Sequence, residues 1–204
     1  MPRLYLVRHG QSEYNVTRRF AGSGSDVALT AAGVGQAGLL RDRLVSAKID
    51  AVFSSNLKRA LSTAGIISEN YGVEIVSCPE LGEINYGVCE GKTFDEVSFE
   101  YPDLAKQIYG ADPKIRFPGG ESFEEFTGRI CRFLDRITKY DDMQTVLVVS
   151  HGGSIKTLVC RLLDIDINSH WAQIRIDNAS LTVVETGKNG AIISLLNDTS
   201  HLKK

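Results

Sequence analysis

The chain has 204 residues, of which 43% are hydrophobic and 24% charged, and its formal net charge at pH 7 is −2. This length supports one α/β domain with a sizeable core, and the near-neutral charge gives no bulk attraction to nucleic acid or to an anionic membrane surface. The first ten residues, MPRLYLVRHG, contain an apolar run too short for a secretion signal or a membrane span. We therefore expect a globular protein with no nucleic-acid and no membrane partner.

The first half of the chain alternates between predicted strands and helices. Residues 4–7 predict a short buried strand, and residues 30–47 predict a helix capped by Thr30. The expected inner face of that helix comprises Val34, Ala37, Leu40 and Leu44. A second strand is predicted at residues 51–53, and the Ser-Ser-Asn run at residues 54–56 offers caps for a helix that ends near residue 69. Residues 74–76 predict a third strand.

Residues 78–120 have no steady period and are rich in Gly, Pro and Glu, with short helical pieces near residues 93–108. A long non-periodic stretch inside a compact domain is more often functional than idle, so we interpret it as an insertion that covers the substrate. The clearest helical pattern follows, at residues 121–140.

The last part of the chain predicts a strand at residues 145–149 and a helix from about residue 153 to 163. Two late strands, 180–186 and 191–196, flank the segment Gly187-Lys188-Asn189-Gly190. The Asn-Gly pair in this segment predicts a hairpin turn.

This order predicts a single domain over residues 1–204, with a three-layer α/β/α architecture and a mostly parallel central sheet. In such sheets ligands bind outside the carboxyl ends of the strands. Two His-Gly pairs, beginning at His9 and His151, each follow a predicted strand. The sequence therefore predicts that these two histidines meet at one edge of the sheet.

Several residues near the two histidines suit an anionic ligand. Arg8, at the end of an apolar strand, is costly without an anionic partner, and a guanidinium matches phosphate oxygens in bidentate fashion. Gly152 and the glycine after it let a ligand approach the backbone, at the start of a helix whose free N–H groups favour an anion. Arg59, near the start of its own helix, leans toward the same crevice. Composition alone does not choose among Glu80, Glu83 and Glu90.

Five segments in this order resemble the motifs of the histidine phosphatase superfamily, which includes the cofactor-dependent phosphoglycerate mutases. They are LVRHGQSEYN, SSNLKRALSTA, LGEINYGVCEG, PGGES and VVSHGG. The match runs from residue 4 to about residue 155, and IDNASLT with LNDTSHL extend it to the end of the chain. The resemblance implies a phosphoglycerate mutase-like fold.

The resemblance also implies roles for the site residues. His9 would be the nucleophile that forms a phosphohistidine, and Glu83 would donate and accept the proton. Arg8, Arg59 and His151 would bind the phosphoryl oxygens, and the two arginines would oppose protonation of His9 as like charges. The residues that would bind the substrate are Asn15, Ser12, Ala21, Gly22, Ser23 and Gly152. No metal and no cofactor are implied, and only the resemblance decides which histidine attacks.

The sequence departs from the family pattern in two places. Ser12 stands where relatives commonly carry Thr, and it keeps the hydroxyl. Ala28 stands where Pro is usual, and the run between Gly22 and Asp26 is one residue longer. The departures fall beside the loop that contacts the substrate in relatives.

The interval between Glu83 and His151 is short, at 151 − 83 = 68 positions. Together with YGVCEGKTFDEV and FPGGES, it resembles the phosphatase branch, including the α-ribazole-5′-phosphate phosphatases. We therefore predict a hydrolase of small phosphomonoesters, a phosphoric monoester hydrolase that needs no metal, with α-ribazole-5′-phosphate as a candidate substrate. A cofactor-dependent phosphoglycerate mutase and a non-catalytic phosphate-binding regulatory module remain as alternatives.

Four further expectations concern the surroundings of the site. Basic candidates for a second anionic group of the substrate are Lys92, Lys114 and Arg116. The four cysteines, Cys78, Cys89, Cys131 and Cys160, are scattered without metal-ligand spacing. A disulfide framework is not expected in such a chain, which fits the cytoplasm. A homo-oligomer remains open.

Overall fold

The computed structural model describes residues 2–187 and 190–203, and its framework is a six-stranded sheet in the order β3-β2-β4-β1-β5-β6. The strands are β1 (Arg3–Arg8), β2 (Ala51–Ser54), β3 (Ile75–Ser77), β4 (Thr145–Ser150), β5 (Leu181–Gly187) and β6 (Gly190–Asp198). Strands β1 to β4 run parallel, whereas β5 is antiparallel to β1 and β6 is antiparallel to β5. The predicted strands and the mostly parallel sheet are confirmed.

The α-helices are α1 (Glu13–Val16), α2 (Ala31–Arg43), α3 (Lys58–Ser68), α4 (Phe94–Glu100), α5 (Pro102–Tyr109), α6 (Phe123–Ile137), α7 (Gly152–Leu162) and α8 (Ile167–His170). Short 3₁₀ turns occupy Pro79–Leu81, Gly87–Cys89, Trp171–Gln173 and Ser200–Leu202. Within the described ranges, no helix combines the length and apolar character needed to cross a membrane. The predicted turn at Lys188 and Asn189 lies outside the described residues, although β5 and β6 pair as a hairpin requires.

Alternate residues of the central strands face opposite sides of the sheet and build two cores. Leu6 of β1 and Val148 of β4 pack in one core with apolar residues of α6 and α7. Val7 and Leu147 pack in the other core with residues of α2 and α3. Since helices cover both faces, these strands are apolar at successive positions, as expected for a buried parallel sheet. The three-layer α/β/α prediction is confirmed.

The predicted inner face of α2 is wrong at one position. Val34 is 48% exposed, and Gly33 is buried beside Ala37 and Leu40 instead. A Cβ on Gly33 would lie 2.1 Å from the carbonyl oxygen of Gln11, so the helix backbone itself forms the contact. Apolar periodicity favours the larger side chain, and it misses a contact that only a glycine permits.

The same contact fixes the turn after β1. A Cβ on Gly10 would lie 2.4 Å from the carbonyl oxygen of Gly33, so neither glycine tolerates a side chain. The predicted cap of α2 is confirmed, since the Thr30 hydroxyl accepts the Gly33 N–H at 3.0 Å. The start of α2 therefore holds the backbone directly after His9.

This packing predicts opposite effects for two glycine substitutions in α2. Gly33→Ala should lower the free energy of unfolding by about 1–3 kcal/mol, because the new methyl group overlaps the Gln11 backbone. Gly35→Ala, with nothing within 4 Å of its ideal Cβ, should raise it by up to about 1 kcal/mol through helix propensity. Urea unfolding of both variants checks this, and equal effects would contradict the close packing.

Candidate active site

Three neighbouring strand ends bring the candidate residues together. Ser55, His151 and His9 directly follow β2, β4 and β1, which are adjacent in the sheet. The His9 N–H donates to the Ser150 carbonyl at 3.0 Å, so the first residues after β1 and β4 stay in register. The rings of His9 and His151 have centroids 5.1 Å apart. The structure thus brings together the two histidines that the sequence predicts at one edge.

The tautomer of His9 follows from a single hydrogen bond. Its Nδ1 lies 2.7 Å from the carbonyl oxygen of Gly10. A carbonyl only accepts, so Nδ1 carries the proton and donates it. The other ring nitrogen, Nε2, then holds a lone pair, and it makes no hydrogen bond to any described residue. His9 is therefore prepared to act through Nε2 as a base, an acceptor or a nucleophile.

The surroundings of His9 keep its ring uncharged. The side chain is buried, and this burial is the largest cause that holds the pKa of His9 well below its usual value. The positive charges of Arg8 and Arg59 lower the pKa further, while the hydrogen bond to Gly10 acts in the opposite direction. The predicted effect of the two arginines on His9 agrees in direction with these shifts.

His151 is fully buried at the N-terminal cap of α7, and its pKa also lies well below the usual value, chiefly through burial and then through Arg59. Its Nε2 lies 2.8 Å from the Ser55 hydroxyl oxygen, and its Nδ1 has no hydrogen-bond partner among the described residues. The run at residues 54–56 was predicted to supply the cap of α3. The N-cap position is Leu57, without a side-chain cap, while the Ser55 hydroxyl accepts the Leu57 N–H at 3.3 Å and also meets His151.

Arg8 and Arg59 carry positive charge into the site without ion pairs to described carboxylates. Arg8 donates from Nη1 to the Ile176 carbonyl at 2.6 Å, and the Nε of each arginine has no partner among the described residues. Burial lowers the pKa of both guanidinium groups, while Glu83 is the largest influence that raises it. An arginine remains charged in proteins, so two such groups favour an anionic ligand.

Arg59 is also the anchor of the loop that contains Ala21, Gly22 and Ser23. It is fully buried, with Nη2 donating to the carbonyls of Ala21 (3.0 Å) and Gly22 (3.1 Å). Its Nη1 donates to the Ser25 carbonyl at 2.9 Å. Glu90 holds the same loop from the other side by accepting the N–H groups of Gly22 and Gly24. The loop is therefore fixed through its backbone.

Composition alone did not choose among the three glutamates near the site, but their contacts in the structure differ. Glu90 binds the loop, and Glu80 forms a surface ion pair with Arg136 at 3.1 Å. Glu83 is buried, with Oε1 accepting the Ile84 N–H and Oε2 accepting the Gly153 N–H, both at 3.0 Å. The second contact places a carboxylate at the N-terminus of α7, where the helix dipole favours negative charge.

Residues from two helices hold the backbone around Glu83. Arg129 of α6 donates to the carbonyls of Gly82 and Glu83, both at 2.7 Å, and it also pairs with Glu121 at 2.7 Å. The Ser154 hydroxyl of α7 donates to the Gly82 carbonyl at 2.8 Å. These bonds fix the position of the Glu83 carboxyl group. Arg129 lies on a helix predicted only for packing, so sequence reasoning missed it.

Asn178 is a second residue that sequence reasoning missed. Its Nδ2 donates to the His9 carbonyl at 3.2 Å and to Asn15 Oδ1 at 3.0 Å. Asn15 Oδ1 also accepts the N–H and the hydroxyl of Ser12, each at 3.0 Å. Ser12 is fully buried, so its hydroxyl serves Asn15 in this structure. The only sequence signal for Asn178 is its place in the segment IDNASLT.

Two adjoining spaces open beside these residues. The Arg8 hollow, of about 380 Å³, is lined by residues that include Arg8, Gly152 and Gly153. The aromatic cavity, of about 290 Å³, is lined mainly by aromatic and aliphatic side chains from the predicted insertion, α6 and the chain after α7. The residues that line both spaces are Tyr86, Lys156, Trp171 and Ala172. Lys156 was not singled out from the sequence.

The basic residues predicted for a second anionic group do not line either space. Lys92 pairs with Glu100 at 2.8 Å, and Arg116 pairs with Glu125 at 2.6 Å. Lys114 lies on the exposed loop after α5. In the described part of the chain, no group of three or more His, Cys, Asp or Glu side chains is arranged to hold a metal ion.

Comparison with known proteins agrees with this geometry. A family model described as histidine phosphatase superfamily (branch 1) matches residues 4–199. The chain belongs to the histidine phosphatase superfamily. Phosphoserine phosphatase 1 of Hydrogenobacter thermophilus is 35% identical to this histidine phosphatase, over 99% of this chain and 95% of that protein. The predicted family and the predicted enzyme class, a phosphatase, are confirmed.

Two further relatives extend the comparison. A Yersinia pestis protein named "Probable phosphoglycerate mutase GpmB" is 34% identical to this histidine phosphatase, over 99% of this chain and 95% of its own. The crystal structure of the α-ribazole phosphatase from Shigella flexneri has a TM-score of 0.89 at 28% identity, over 97% of this chain and 96% of that chain. The relatives therefore carry names of three different activities within one fold.

The low pKa values of the buried histidines predict a loss of stability in mild acid. Unfolded His9 takes up a proton near pH 6.5 whereas folded His9 does not, so the free energy of unfolding falls as the pH falls below that value. Between pH 6.5 and 5.5 each such histidine should cost about 1 kcal/mol. Urea unfolding of His9→Asn should show a pH-dependent loss smaller than that of the parent protein by this amount, and an equal loss would contradict the prediction.

Proposed function

We propose that this histidine phosphatase hydrolyses small phosphomonoesters through a phosphohistidine on His9. The observation that carries the proposal is the lone pair on His9 Nε2, held by the Nδ1 bond to Gly10 in a site that contains the fully buried Arg59 and the half-buried Arg8. A neutral imidazole is a nucleophile at neutral pH, and nearby guanidinium groups neutralise a phosphoryl group. Phosphoryl transfer requires mainly positioning and charge stabilisation of this kind.

In the first step His9 Nε2 attacks phosphorus, the N–P bond forms and the ester P–O bond breaks. Glu83 gives a proton to the departing oxygen in this step, so the alcohol leaves neutral. Arg8, Arg59 and the Nδ1 side of His151 bind the phosphoryl oxygens, with Asn15 and the backbone at Gly152 completing the pocket. Ser12 and the loop of Ala21, Gly22 and Ser23 shape the substrate side.

In the second step Glu83, now a carboxylate, accepts a proton from water while the water oxygen attacks phosphorus. The N–P bond breaks, inorganic phosphate leaves, and His9 and Glu83 return to their starting states. The close contact between Glu83 and Gly153, where a Cβ would lie 2.3 Å from Oε1, supports a fixed position for this proton transfer.

The phosphohistidine predicts an acid-labile label on the protein. Incubation with a ³²P-labelled phosphomonoester and a quench in base should leave label on the parent protein and none on His9→Ala, because only His9 carries the free nucleophilic nitrogen. His170→Ala is the matched control, since the His170 side chain is exposed and lines neither the Arg8 hollow nor the aromatic cavity. Full turnover by His9→Ala would refute the nucleophile assignment.

Replacing Glu83 by a residue that cannot transfer a proton should separate the formation of the phosphohistidine from its hydrolysis. With 4-nitrophenyl phosphate, whose leaving group needs no proton, Glu83→Gln should give a burst of nitrophenol followed by turnover slower by about 10²–10⁴-fold. The slow phase reflects water attack without its base. Stopped-flow absorbance measures both phases, and unchanged steady-state turnover would exclude Glu83 as the proton carrier.

A phosphoglycerate mutase is the second candidate, and the similarity to the Yersinia pestis protein favours keeping it. Mutase and phosphatase share the first half-reaction and differ in whether water or a second substrate oxygen takes the phosphoryl group. Incubation with 3-phosphoglycerate and 2,3-bisphosphoglycerate, followed by ³¹P NMR, should show inorganic phosphate and no 2-phosphoglycerate. Formation of 2-phosphoglycerate at a comparable rate would reverse the assignment.

For the substrate we propose α-ribazole-5′-phosphate as the first candidate and O-phosphoserine as the second. Structural similarity to the Shigella flexneri enzyme supports the former, and sequence similarity to the Hydrogenobacter thermophilus enzyme supports the latter. We also propose that residues 1–204 form a single domain in the cytoplasm. The family match over residues 4–199 supports one domain, and the free thiols of the four cysteines suit a reducing compartment.

A further inference from the structure

We propose that the aromatic cavity holds the alcohol part of the substrate, and that Lys156 at its mouth excludes alcohols that carry a positive charge. The inference rests on the phosphatase activity proposed above and specifies the substrate class of the same site. It follows from the lining residues that the two spaces share, the chemistry of the cavity walls and the surroundings of Lys156.

The aromatic cavity adjoins the Arg8 hollow. Tyr86, Lys156 and Trp171 line both spaces, while Arg8 and Gly153 line only the hollow. Gly153 is the residue whose N–H binds Glu83, so the hollow adjoins the proposed proton donor. A phosphoryl group bound near Arg8 would therefore have its ester oxygen toward Glu83 and its organic part toward the cavity.

The walls of the cavity are aromatic and rigidly packed. Tyr86 and Phe117 meet edge to face with ring centroids 5.0 Å apart, and Phe123 meets Trp171 in the same way at 5.3 Å. Ile108 of α5 adds an aliphatic surface. Walls of this kind favour an apolar organic group, since burial of apolar surface is favourable and unpaired charge is costly there.

Lys156 is the only lysine, arginine or histidine among the described residues that line the cavity. It forms no ion pair with a described carboxylate, and its Nζ lies 4.4 Å from the centroid of the Trp171 ring. Burial lowers the pKa of Lys156, whereas Glu83 acts in the opposite direction. The one acid on the lining, Asp112, already accepts the Lys114 N–H at 2.9 Å.

This position of Lys156 opposes a second cation in two ways. Its ammonium group repels a like charge in a partly desolvated space. It also makes a cation–π contact with Trp171, so a cationic alcohol would compete with Lys156 for that ring. The cavity therefore accepts apolar alcohols without a cationic group.

The apolar preference is tested with primary alkyl esters, whose leaving groups have similar basicity. The parent enzyme should give a kcat/KM for 2-phenylethyl phosphate at least about 30-fold above that for ethyl phosphate, because the ring is buried in the cavity. Ile108→Trp, which fills the cavity, should reduce this ratio about 10-fold. Lys106→Trp, on an exposed position of α5 outside the lining, is the matched control and should keep the parent ratio.

The charge filter is tested with two esters of nearly the same shape. Phosphocholine carries a trimethylammonium group where 3,3-dimethylbutyl phosphate carries a neutral tert-butyl group. The parent enzyme should prefer the neutral ester by at least about 10-fold in kcat/KM, and Lys156→Met should reduce that preference at least fivefold. The comparison uses ratios because contacts of Lys156 with the shared phosphate then cancel.

The outcomes separate this inference from the proposed function. Turnover of all four esters with equal kcat/KM would overturn the inference and leave the phosphatase activity standing. An unchanged ester preference in Lys156→Met would overturn the role of Lys156. Failure to hydrolyse any phosphomonoester would overturn the proposed function and this inference with it. The two parent-enzyme ratios need no variant and still test the apolar preference, and Lys156→Gln tests the role of Lys156 if Lys156→Met does not fold.

Discussion

The site depends on two arginine charges, one fully buried and one half-buried, that form no ion pair with a described carboxylate. Arg8 and Arg59 bind carbonyl groups of the protein, which orient the guanidinium groups but leave their charge uncompensated. Burial, and after it this excess charge, lowers the pKa of His9 and keeps its ring neutral, and the excess charge makes the space beside the ring suitable for a dianion. Glu83 is the largest influence that raises the pKa of both arginines. Its backbone contacts hold it at a helix N-terminus rather than in a direct ion pair with either of them. The same arrangement thus supplies a neutral nucleophile and an attraction for phosphate.

The parts of the fold and site that could be predicted are those encoded within a few residues. Apolar runs ending in His-Gly marked both strand ends at His9 and His151, and a parallel sheet brings neighbouring strand ends to one edge. Arg59 could be placed near the start of its helix, although its complete burial depends on the loop that wraps over it. These predictions required a local pattern and one rule of topology.

The remaining contacts join residues that are far apart in the sequence, so no local sequence pattern predicts them. Ser55 meets His151 across 96 positions, and Asn178 meets Asn15 across 163. Lys156 lies one helical turn beyond the predicted anion site, and its proximity to Trp171 depends on how the chain returns after α7. Gly33 was missed for a different reason. Its backbone contact requires the absence of a side chain, whereas apolar periodicity considers only the side chains that are present.

The anchoring of the loop around Gly22 has a consequence for how such enzymes diverge. Arg59 binds this loop only through the carbonyl oxygens of Ala21, Gly22 and Ser25, and every amino acid has a carbonyl oxygen. Gly22 itself has no room for a side chain, because a Cβ there would lie 2.2 Å from the Ile84 carbonyl oxygen. The side chains of Ala21, Ser23 and Ser25 can change while the hydrogen bonds of Arg59 stay in place. Substitutions at these three positions can therefore alter the substrate side of the site without moving the arginine that the chemistry requires.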